Sequence, residues 1–339
     1  MGMGTKRMSK LIIQIPCYNE EGTLGIALKA LPREVPGFDT VEWLIIDDGS
    51  KDRTVEVARE HGVDHVVSLG TNQGLAKGFM AGLHACLRLG ADVIVNTDAD
   101  NQYNADDIPK LVQPILDGSA KYVIGARPIQ QTAHFSPIKK LLQRFGSWVV
   151  RVASASDIPD APSGFRAIHR DAALQLNVFS QYTYTLETII QAGRKGIPMT
   201  SVPIRTNEDL RPSRLVKSIS SYVKRSVLTI FRIFMTYRPL LFFNILGSVP
   251  FGLGTLLGVR WLVFYFMGSD RTRLPSLILA AILILIGVQL FMLALVADLL
   301  AVNRTILEDV QMRGRRNTLA RRETGGAVAG ETRETAELR

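Results

Sequence analysis

Two long uncharged runs near the C-terminus constrain most strongly what this chain can fold into. Residues 240–259 carry no charge, and after Arg260 and a six-residue polar loop (268–273) a second uncharged run covers 274–297. A helix needs about 20 apolar residues to cross the roughly 30 Å hydrocarbon core of a bilayer. Two buried core helices are the alternative. Two such runs joined by so short a loop favour a transmembrane hairpin, over about 240–267 and 274–299.

The basic charge lies beside these runs. The formal net charge is +9, and eight basic side chains against two acidic ones lie between Arg205 and Arg238. Four arginines follow the second run: Arg304, Arg313, Arg315 and Arg316. By the positive-inside rule, both flanks are expected in the cytoplasm, although Arg271 and Arg273 in the connecting loop oppose this. We therefore predict an integral membrane protein that contacts the lipid bilayer, with its N-terminal domain and tail cytoplasmic, and no nucleic-acid partner.

The N-terminal two thirds of the chain predict an α/β fold. Short β-rich runs alternate with helical patterns, which is typical of a mostly parallel sheet with crossover helices. The predicted strands are 11–15, 43–46, 65–68, 93–96 and 122–125, and the predicted helices are 23–31, 54–60, 75–89 and 106–116. Two cysteines and five scattered histidines indicate neither a disulfide framework nor a zinc site.

The chain is divided by these patterns into five segments. They are an extension (1–8), an α/β domain (9–213), an amphipathic juxtamembrane helix (214–238), the hairpin (239–301) and a basic tail (302–339). The tail is rich in Arg, Glu, Thr and Gly, so we expect it to be disordered. A second interfacial helix is predicted at 138–152. Gly254 and Gly258 form a G-x-x-x-G pattern, which either packs inside the hairpin or contributes to a homo-oligomer.

Polar clusters follow the predicted strands, where open α/β sheets bind their ligands. Asp98 and Asp100 stand one residue apart at the end of 93–96, and Gln102 follows. Carboxylate and amide oxygens suit Mg²⁺ or Mn²⁺, with coordination positions left for phosphate oxygens. The alternative is an acidic loop that caps the next helix. Because the pair lies at the end of a strand, as the other polar clusters do, the metal-site interpretation is favoured.

A second acidic pair, Asp47 and Asp48, follows the second predicted strand. Asp and Gly favour turns, so one interpretation of this pair is structural. Alternatively, one carboxylate accepts hydrogen bonds from a ribose or a base. The sequence has no G-x-x-x-x-G-K-[ST], and its first β–α turn lacks G-x-G-x-x-G. Nucleotide binding through a metal and acidic loops is therefore favoured over a glycine-rich phosphate loop.

The order of these motifs resembles family 2 glycosyltransferases of the GT-A fold. The matching segments are Pro16–Glu20, Asp47–Thr54, Asn72–Gly74, Asp98–Gln102 and Ser163–Ala167. The last of them resembles the branch that contains dolichyl-phosphate mannose synthase and bacterial polyprenyl-phosphate glycosyltransferases. The resemblance spans roughly residues 9–215. It implies a Rossmann-like, mixed but mostly parallel sheet, and inverting transfer of a sugar from a UDP- or GDP-linked donor to undecaprenyl or dolichyl phosphate.

The resemblance also implies a role for each matched residue. Asp98, Asp100 and Gln102 would bind the metal, with Asp100 and Arg127 catalytic. Arg127, Arg144 and Arg214 would hold the acceptor phosphate, although Arg214 follows the family pattern only loosely. Glu187 would contact the sugar or support the fold, or it is a solvated helix residue. The nucleotide-sugar contacts would come from Pro16, Tyr18, Asn19, Glu20, Asp48, Asn72, Gly74 and Asp98, together with Glu187.

Other functions stay open at this point. A different membrane acceptor, such as a glycerolipid or a lipid-linked oligosaccharide, would need the same donor site. A non-catalytic scaffold that binds nucleotide sugar is a further alternative, which the intact Asp98 and Asp100 pair disfavours. Processive polymerisation is disfavoured because two spans make a small export channel, and because Arg260-Trp261 lacks the preceding glutamine of the polymerase motif.

Overall fold

The computed structural model describes residues 8–128, 158–178, 184–208, 228, 231–232, 234–267 and 274–337, with side chains as far as 318. The chain forms two compact units, one of residues 1–223 and 308–339 and the other of residues 224–307. The predicted helix at 138–152 and most of the one at 214–238 lie outside the described residues, as do Arg144 and Arg214.

The first unit contains a seven-stranded sheet with one reversed strand. The strands are β1 (Met8–Cys17), β2 (Phe38–Asp47), β3 (His65–Ser68), β4 (Val93–Asn96), β5 (Tyr122–Ala126), β6 (Arg166–His169) and β7 (Met199–Pro203). Their order is β3-β2-β1-β4-β6-β5-β7. Only β6 is antiparallel to its neighbours, pairing with β4 through Asn96 and Arg166 and with β5 through Ile124 and Arg166. The mixed, mostly parallel sheet agrees with the fold class predicted from the sequence.

Helices cover both faces of the sheet. They are α1 (Leu24–Ala30), α2 (Thr54–Glu60), α3 (Leu75–Arg88), α4 (Ile108–Leu116), α5 (Arg170–Gln175) and α6 (Thr185–Arg194). Alternate residues of β1 point to opposite faces: Leu11, Ile13 and Ile15 pack with α1 and α4, and Ile12 packs with α3. Because both faces are buried, each central strand contains a continuous apolar run, such as residues 11–13 in β1 and residues 43–46 in β2, and these runs made the strands recognisable in the sequence.

Strands β6 and β7 were missed by the sequence analysis. Strand β7 reads Met-Thr-Ser-Val-Pro, which lacks a strong apolar pattern. Strand β6 begins with Arg166, whose side chain is fully buried. The Arg166 guanidinium donates to the carbonyls of Ser163 (2.7 Å), Ala161 (2.8 Å) and Thr185 (2.9 Å). These hydrogen bonds compensate the buried charge of the guanidinium. Through the bond to the Thr185 carbonyl, Arg166 also joins β6 to the start of α6.

The second unit contains the predicted hairpin. Its helices are α7 (Pro239–Phe266) and the first part of α8 (Leu274–Glu337), and both are long and apolar enough to cross a membrane. They pack through glycines. A Cβ on Gly254 would lie 2.8 Å from the Ala280 carbonyl oxygen, and one on Gly287 would lie 2.6 Å from Phe251 Cβ. A Cβ on Gly258 would meet nothing within 4 Å. Gly254 therefore packs inside the hairpin, whereas Gly258 does not.

The C-terminal tail differs from its prediction. Residues 302–339 were expected to be disordered, but α8 continues without a break to Glu337. From Glu308 onward the helix belongs to the first unit and is hydrogen-bonded to it. Glu308 pairs with Lys195 (3.2 Å), and Arg315 donates to the Leu176 carbonyl (3.2 Å). Glu308 and Arg315 thus have partners on the α/β unit, which the polar composition of the tail does not reveal.

The glycine contacts predict a difference between two otherwise similar variants. Gly254→Ala and Gly258→Ala both reduce the backbone entropy of the unfolded chain, which alone would stabilise a helix. Only the methyl group introduced at position 254 would press against the Ala280 backbone. We expect Gly254→Ala to lower the melting temperature of the detergent-solubilised protein and Gly258→Ala to leave it unchanged or raise it. Equal melting temperatures would contradict the helix packing described above.

Candidate active site

The strand directions bring five loops to one edge of the sheet. Strands β1, β2, β4 and β5 are parallel, so their carboxyl ends meet there. Because β6 is antiparallel, its amino end lies at the same edge, and the preceding residues Ser163–Phe165 join the loops that follow the parallel strands. The polar clusters after β1, β2 and β4 therefore lie at a common edge, as the sequence predicted.

The first two loops are joined by hydrogen bonds. The backbone N–H of Asn19 donates to Ser50 Oγ (3.0 Å), and the N–H of Lys51 donates to Asn19 Oδ1 (2.8 Å). The N–H of Glu20 donates to Thr54 Oγ1 (2.8 Å). Asn19 has a φ of +54°, a left-handed conformation that asparagine tolerates better than most residues. These contacts give Asn19 and Glu20 a clear structural role at this edge.

The Asp48 carboxylate organises the loop before α3. Its two oxygens accept the N–H groups of Gln73 (2.7 Å) and Gly74 (2.9 Å). Gly74 has a φ of +92° and precedes the first residue of α3. The neighbouring Asp47 accepts from the Ser50 N–H (2.8 Å) and the Ser68 hydroxyl (3.0 Å). Both aspartates thus fix turns, which is the structural alternative that the sequence left open. The spare lone pairs of Asp48 can still accept from a ligand.

Asp98 and Asp100 follow β4 and are both partly buried. The Asp98 carboxylate lies against Gly164, since a Cβ on that glycine would be 3.0 Å from Asp98 Oδ2 and 3.2 Å from the Tyr184 hydroxyl. Only a glycine leaves this space. Asp100 Oδ1 accepts the N–H of Gln102 at 3.2 Å. The structure therefore brings the loops of the two motifs Asp98–Gln102 and Ser163–Ala167 into contact.

The electrostatics of the pair are unfavourable for two ionised carboxylates. Burial, together with the charge of Asp100, raises the pKa of Asp98 to about 7. The positive charges of Arg127 and Arg166 oppose this shift but do not cancel it. Among the described residues, no group donates a hydrogen bond to the Asp98 carboxylate. A divalent cation would supply the missing positive charge.

The donor set fits a magnesium or manganese ion. The part of the chain that the structure describes contains no cluster of three or more His, Cys, Asp or Glu side chains able to enclose a metal. Two carboxylates provide only part of an octahedral shell, and Mg²⁺ sites of this kind are completed by water and phosphate oxygens. Asp98 and Asp100 could thus supply two ligands to an ion whose remaining positions are filled by water or by phosphate oxygens.

Arg127 follows β5 and is held by Asp160, whose side chain is 1% exposed. Its Nε and Nη2 donate to the two oxygens of Asp160 (2.7 and 3.0 Å), and its backbone N–H donates to Oδ2 (3.1 Å). This two-pronged bond raises the pKa of Arg127, so the guanidinium stays charged. Its Nη1 has no hydrogen-bond partner among the described residues, and its charge acts on Asp98.

The remaining predicted residues occupy varied positions. Tyr18 and Asn72 are exposed, and Pro16 and Gln102 are partly buried. Glu187 is 6% exposed in the first turn of α6, so the alternative of a solvated helix residue does not hold for this side chain. Its burial is compatible with a supporting role as well as with a ligand contact.

Several polar residues of this edge have a structural role that the sequence analysis did not assign to them. Asn96, the last residue of β4, accepts from Gln14 (2.9 Å) and donates to the Gly164 carbonyl (2.8 Å) and the Tyr184 hydroxyl (2.9 Å). The Tyr103 hydroxyl accepts the N–H of Gly164 at 2.8 Å. Asn96 and Tyr103 thus hold the backbone of Gly164, the residue that lies against the Asp98 carboxylate. Their one signal in the sequence is an amide or hydroxyl beside a recognised motif, which is too common to select them.

The chain is similar to known proteins in sequence and in fold. The sequence model of Glycosyl transferase family 2 matches residues 12–176. A UDP-N-acetylglucosamine–dolichyl-phosphate N-acetylglucosaminyltransferase of Methanococcus voltae is 30% identical over 57% of this chain and 83% of its own length. An undecaprenyl-phosphate mannosyltransferase of Micrococcus luteus is 28% identical over 58% of this chain and 82% of its own length.

A solved structure supports the fold. The structure of glucosyl-3-phosphoglycerate synthase from Mycobacterium tuberculosis with Mn²⁺, UDP and glucosyl-3-phosphoglycerate matches with a TM-score of 0.50 at 21% identity. The match covers 65% of this chain and 79% of that protein, and at this identity it concerns the fold alone.

The longest of the reported matches extends beyond the α/β unit. The glycosyltransferase AglJ of Haloferax volcanii is 30% identical over 85% of this chain and 92% of its own length. Since the family model also spans the loops of Asp48, Asp98 and Asp100, this chain belongs to Glycosyl transferase family 2.

Proposed function

We propose that this enzyme transfers a sugar from a UDP- or GDP-linked donor to a polyprenyl phosphate at the cytoplasmic face of a membrane, with inversion at the anomeric carbon. The observation that carries the proposal is the carboxylate pair of Asp98 and Asp100, whose negative charge is only partly balanced by nearby positive charges. The same chain has two candidate membrane spans. The names of the Methanococcus voltae and Micrococcus luteus relatives support a polyprenyl-phosphate acceptor.

The donor would bind across the loops at the carboxyl edge of the sheet. Asp48 and the loop at 16–20 would hold the nucleoside, and Asp98, Asp100 and Gln102 would hold Mg²⁺ or Mn²⁺. When bound, the ion supplies positive charge to the diphosphate as it departs. The rigid hydrogen-bonded loops keep the carboxylates in place, so little reorganisation is needed during the reaction.

The acceptor phosphate would contact Arg127, together with Arg144 and Arg214. Asp160 holds Nε and Nη2 of Arg127, which leaves Nη1 to donate to a phosphate oxygen. In the reaction, a phosphate oxygen forms a bond to the anomeric carbon while the bond from that carbon to the nucleoside diphosphate breaks. The attacking oxygen is already anionic at neutral pH, so no proton has to be removed and no general base is required.

The test of this function is a donor and acceptor screen on the detergent-solubilised full chain. Each UDP- and GDP-sugar is paired with undecaprenyl phosphate, dolichyl phosphate, a glycerolipid or 3-phosphoglycerate, with Mn²⁺, Mg²⁺ or EDTA. We expect release of UDP or GDP that needs both the metal and a polyprenyl phosphate, and an acid-labile lipid product carrying one sugar. An acid-stable glycolipid, or transfer to 3-phosphoglycerate in place of lipid, would refute the proposed acceptor.

The carboxylate pair gives opposite expectations for activity and stability. Asp98→Asn and Asp100→Asn should each lower the transfer rate by on the order of 10²–10³-fold, through lost stabilisation of the leaving diphosphate. Because the folded pKa of Asp98 lies above its ordinary value of 3.8, its ionisation makes the unloaded protein less stable as the pH rises from about 4 to about 7. Asp98→Asn should therefore raise the melting temperature of the unloaded protein at pH 8. A variant that melts lower and has lost activity would indicate misfolding instead.

Metal binding should depend on pH near neutrality. With the pKa of Asp98 raised to about 7, protons compete with the ion below that value. We expect the Mn²⁺ concentration for half-maximal transfer to increase by up to about tenfold for each pH unit below 7, and to level off above it. The measurement is a metal titration at several pH values with saturating donor. A titration midpoint that does not change between pH 6 and 8 would contradict the raised pKa.

Arg127 should affect the acceptor more than the donor. Arg127→Lys keeps the positive charge opposite the buried Asp160 but loses the fork geometry that leaves Nη1 to bind phosphate. We expect KM for the lipid phosphate to rise by about tenfold, because one charge-assisted hydrogen bond to the phosphate is lost. KM for the donor should stay nearly unchanged. Arg59→Lys, on the exposed surface of α2, is the matched control. An equal rise in both KM values would exclude an acceptor-specific role.

A further inference from the structure

The segment after β7 lies along the loop that carries the carboxylate pair. Asn207 Nδ2 donates to the carbonyl oxygens of Asn101 (2.9 Å) and Tyr103 (3.4 Å), and the Asn207 backbone N–H donates to the Gln102 carbonyl (2.9 Å). Thr206 forms an isolated antiparallel bridge with Tyr103. One asparagine thus binds three successive carbonyl groups immediately after Asp100.

The Asn101–Gln102 peptide unit connects Asn207 to Asp100. The C=O of this unit belongs to Asn101 and accepts from Asn207 Nδ2, while its N–H belongs to Gln102 and donates to Asp100 Oδ1 (3.2 Å). A peptide unit is planar and rigid, so fixing its oxygen also fixes the direction of its N–H. The orientation of the Asp100 carboxylate therefore depends on a side chain that lies 107 positions further along the chain.

The backbone at Asn101 explains why such support is needed. Asn101 has a φ of +58°, in the left-handed region that few residues other than glycine adopt. Asparagine tolerates this conformation better than most residues, but the conformation persists only where the surrounding structure holds it. The bonds from Asn207 hold the turn from the side opposite to Asp100.

We infer that Asn207 is a positioning residue for the metal site, acting on Asp100 through the Asn101–Gln102 peptide unit. The inference rests on the proposed function, in which Asp100 is a metal ligand. It extends the site to a residue that none of the recognised motifs contains. In this role Asn207 acts through the Asp100 carboxylate, because the hydrogen bonds of its side chain go to backbone carbonyl groups of the loop.

A general role in docking the segment is carried by other residues. Arg205 forms a two-pronged ion pair with Asp107, with 3.0 Å between Nη2 and Oδ1, and its backbone N–H donates to Oδ2 at 2.6 Å. Ile204 is buried in the core. The segment therefore keeps its main attachments when the Asn207 side chain is changed, and the effect of such a change should be confined to the loop.

The experiment measures Mn²⁺ binding directly, by electron paramagnetic resonance of the detergent-solubilised full chain at pH 8 with UDP or GDP. Asn207→Ala removes the donor. Asn207→Asp also removes it but adds a negative charge beside the site. Asn177→Ala is the control, because that asparagine bonds Gln311 and Arg315 on α8 and touches none of the loop carbonyls.

We expect both Asn207 variants to bind Mn²⁺ about 10–100-fold more weakly than the wild type, as for other residues that orient metal ligands. The control should bind it as the wild type does. A purely structural role would lower the melting temperature but leave Mn²⁺ affinity unchanged well below that temperature, and this result would overturn the inference. Tighter binding by Asn207→Asp would overturn it too, since charge rather than the donated hydrogen bond would then govern affinity.

The wild type separates this inference from the proposed function. Mn²⁺ binding by the wild type with unchanged affinity in both variants would refute the role of Asn207 alone. No Mn²⁺ binding by the wild type with either nucleotide would refute the metal site of the proposed function and the inference together.

Discussion

The burial of Asp98 beside the charge of Asp100 is the electrostatic constraint that the surrounding residues of this edge of the sheet must accommodate. Burial and the charge of Asp100 raise the pKa of Asp98 to about 7, so the pair is under-compensated in the protein alone. Its surroundings moderate this cost without removing it. The positive charges of Arg127 and Arg166 oppose the rise in the pKa of Asp98, and Gly164 leaves space for the Asp98 carboxylate. Under the proposed function, a bound cation would supply the positive charge that this carboxylate pair lacks in the unloaded protein.

The reversed strand β6 makes this arrangement possible. Had β6 run parallel to β4, its amino end and the Ser163–Phe165 segment would lie at the opposite edge of the sheet. Its reversal places Gly164 beside Asp98 and buries Arg166, which is satisfied by backbone carbonyls and by the Tyr122 and Thr188 hydroxyls. The second support comes from the Ile204–Asn207 segment after β7, which binds the loop after Asp100. Two late segments of the α/β unit thus stabilise a site whose acidic residues come from its first half.

Much of the fold was predictable because its signals are local. Strands β3 and β4 have the predicted bounds, and β1, β2 and β5 were placed from apolar runs that parallel strands buried on both faces must have. Strand β6 was missed because it begins with an arginine that is buried only through its distant partners. The C-terminal tail was expected to be disordered because of its polar composition. Here too the deciding contacts are distant in sequence, since Glu308 and Arg315 have partners on the α/β unit. Composition carries no information about partners far away in sequence.

The sequence by itself determined the family, the position of the acidic clusters at strand ends, and the presence of two apolar segments long enough for a membrane, since each depends on neighbouring residues or short periodic patterns. The tertiary structure alone decided that Asp48 accepts hydrogen bonds from the loop before α3, that Asp160 holds Nε and Nη2 of Arg127, and that Asn207 supports the turn after Asp100. The physical reason is that each of these roles is a hydrogen bond between residues 25 to 106 positions apart, and such bonds exist only once the sheet has brought their loops to one edge.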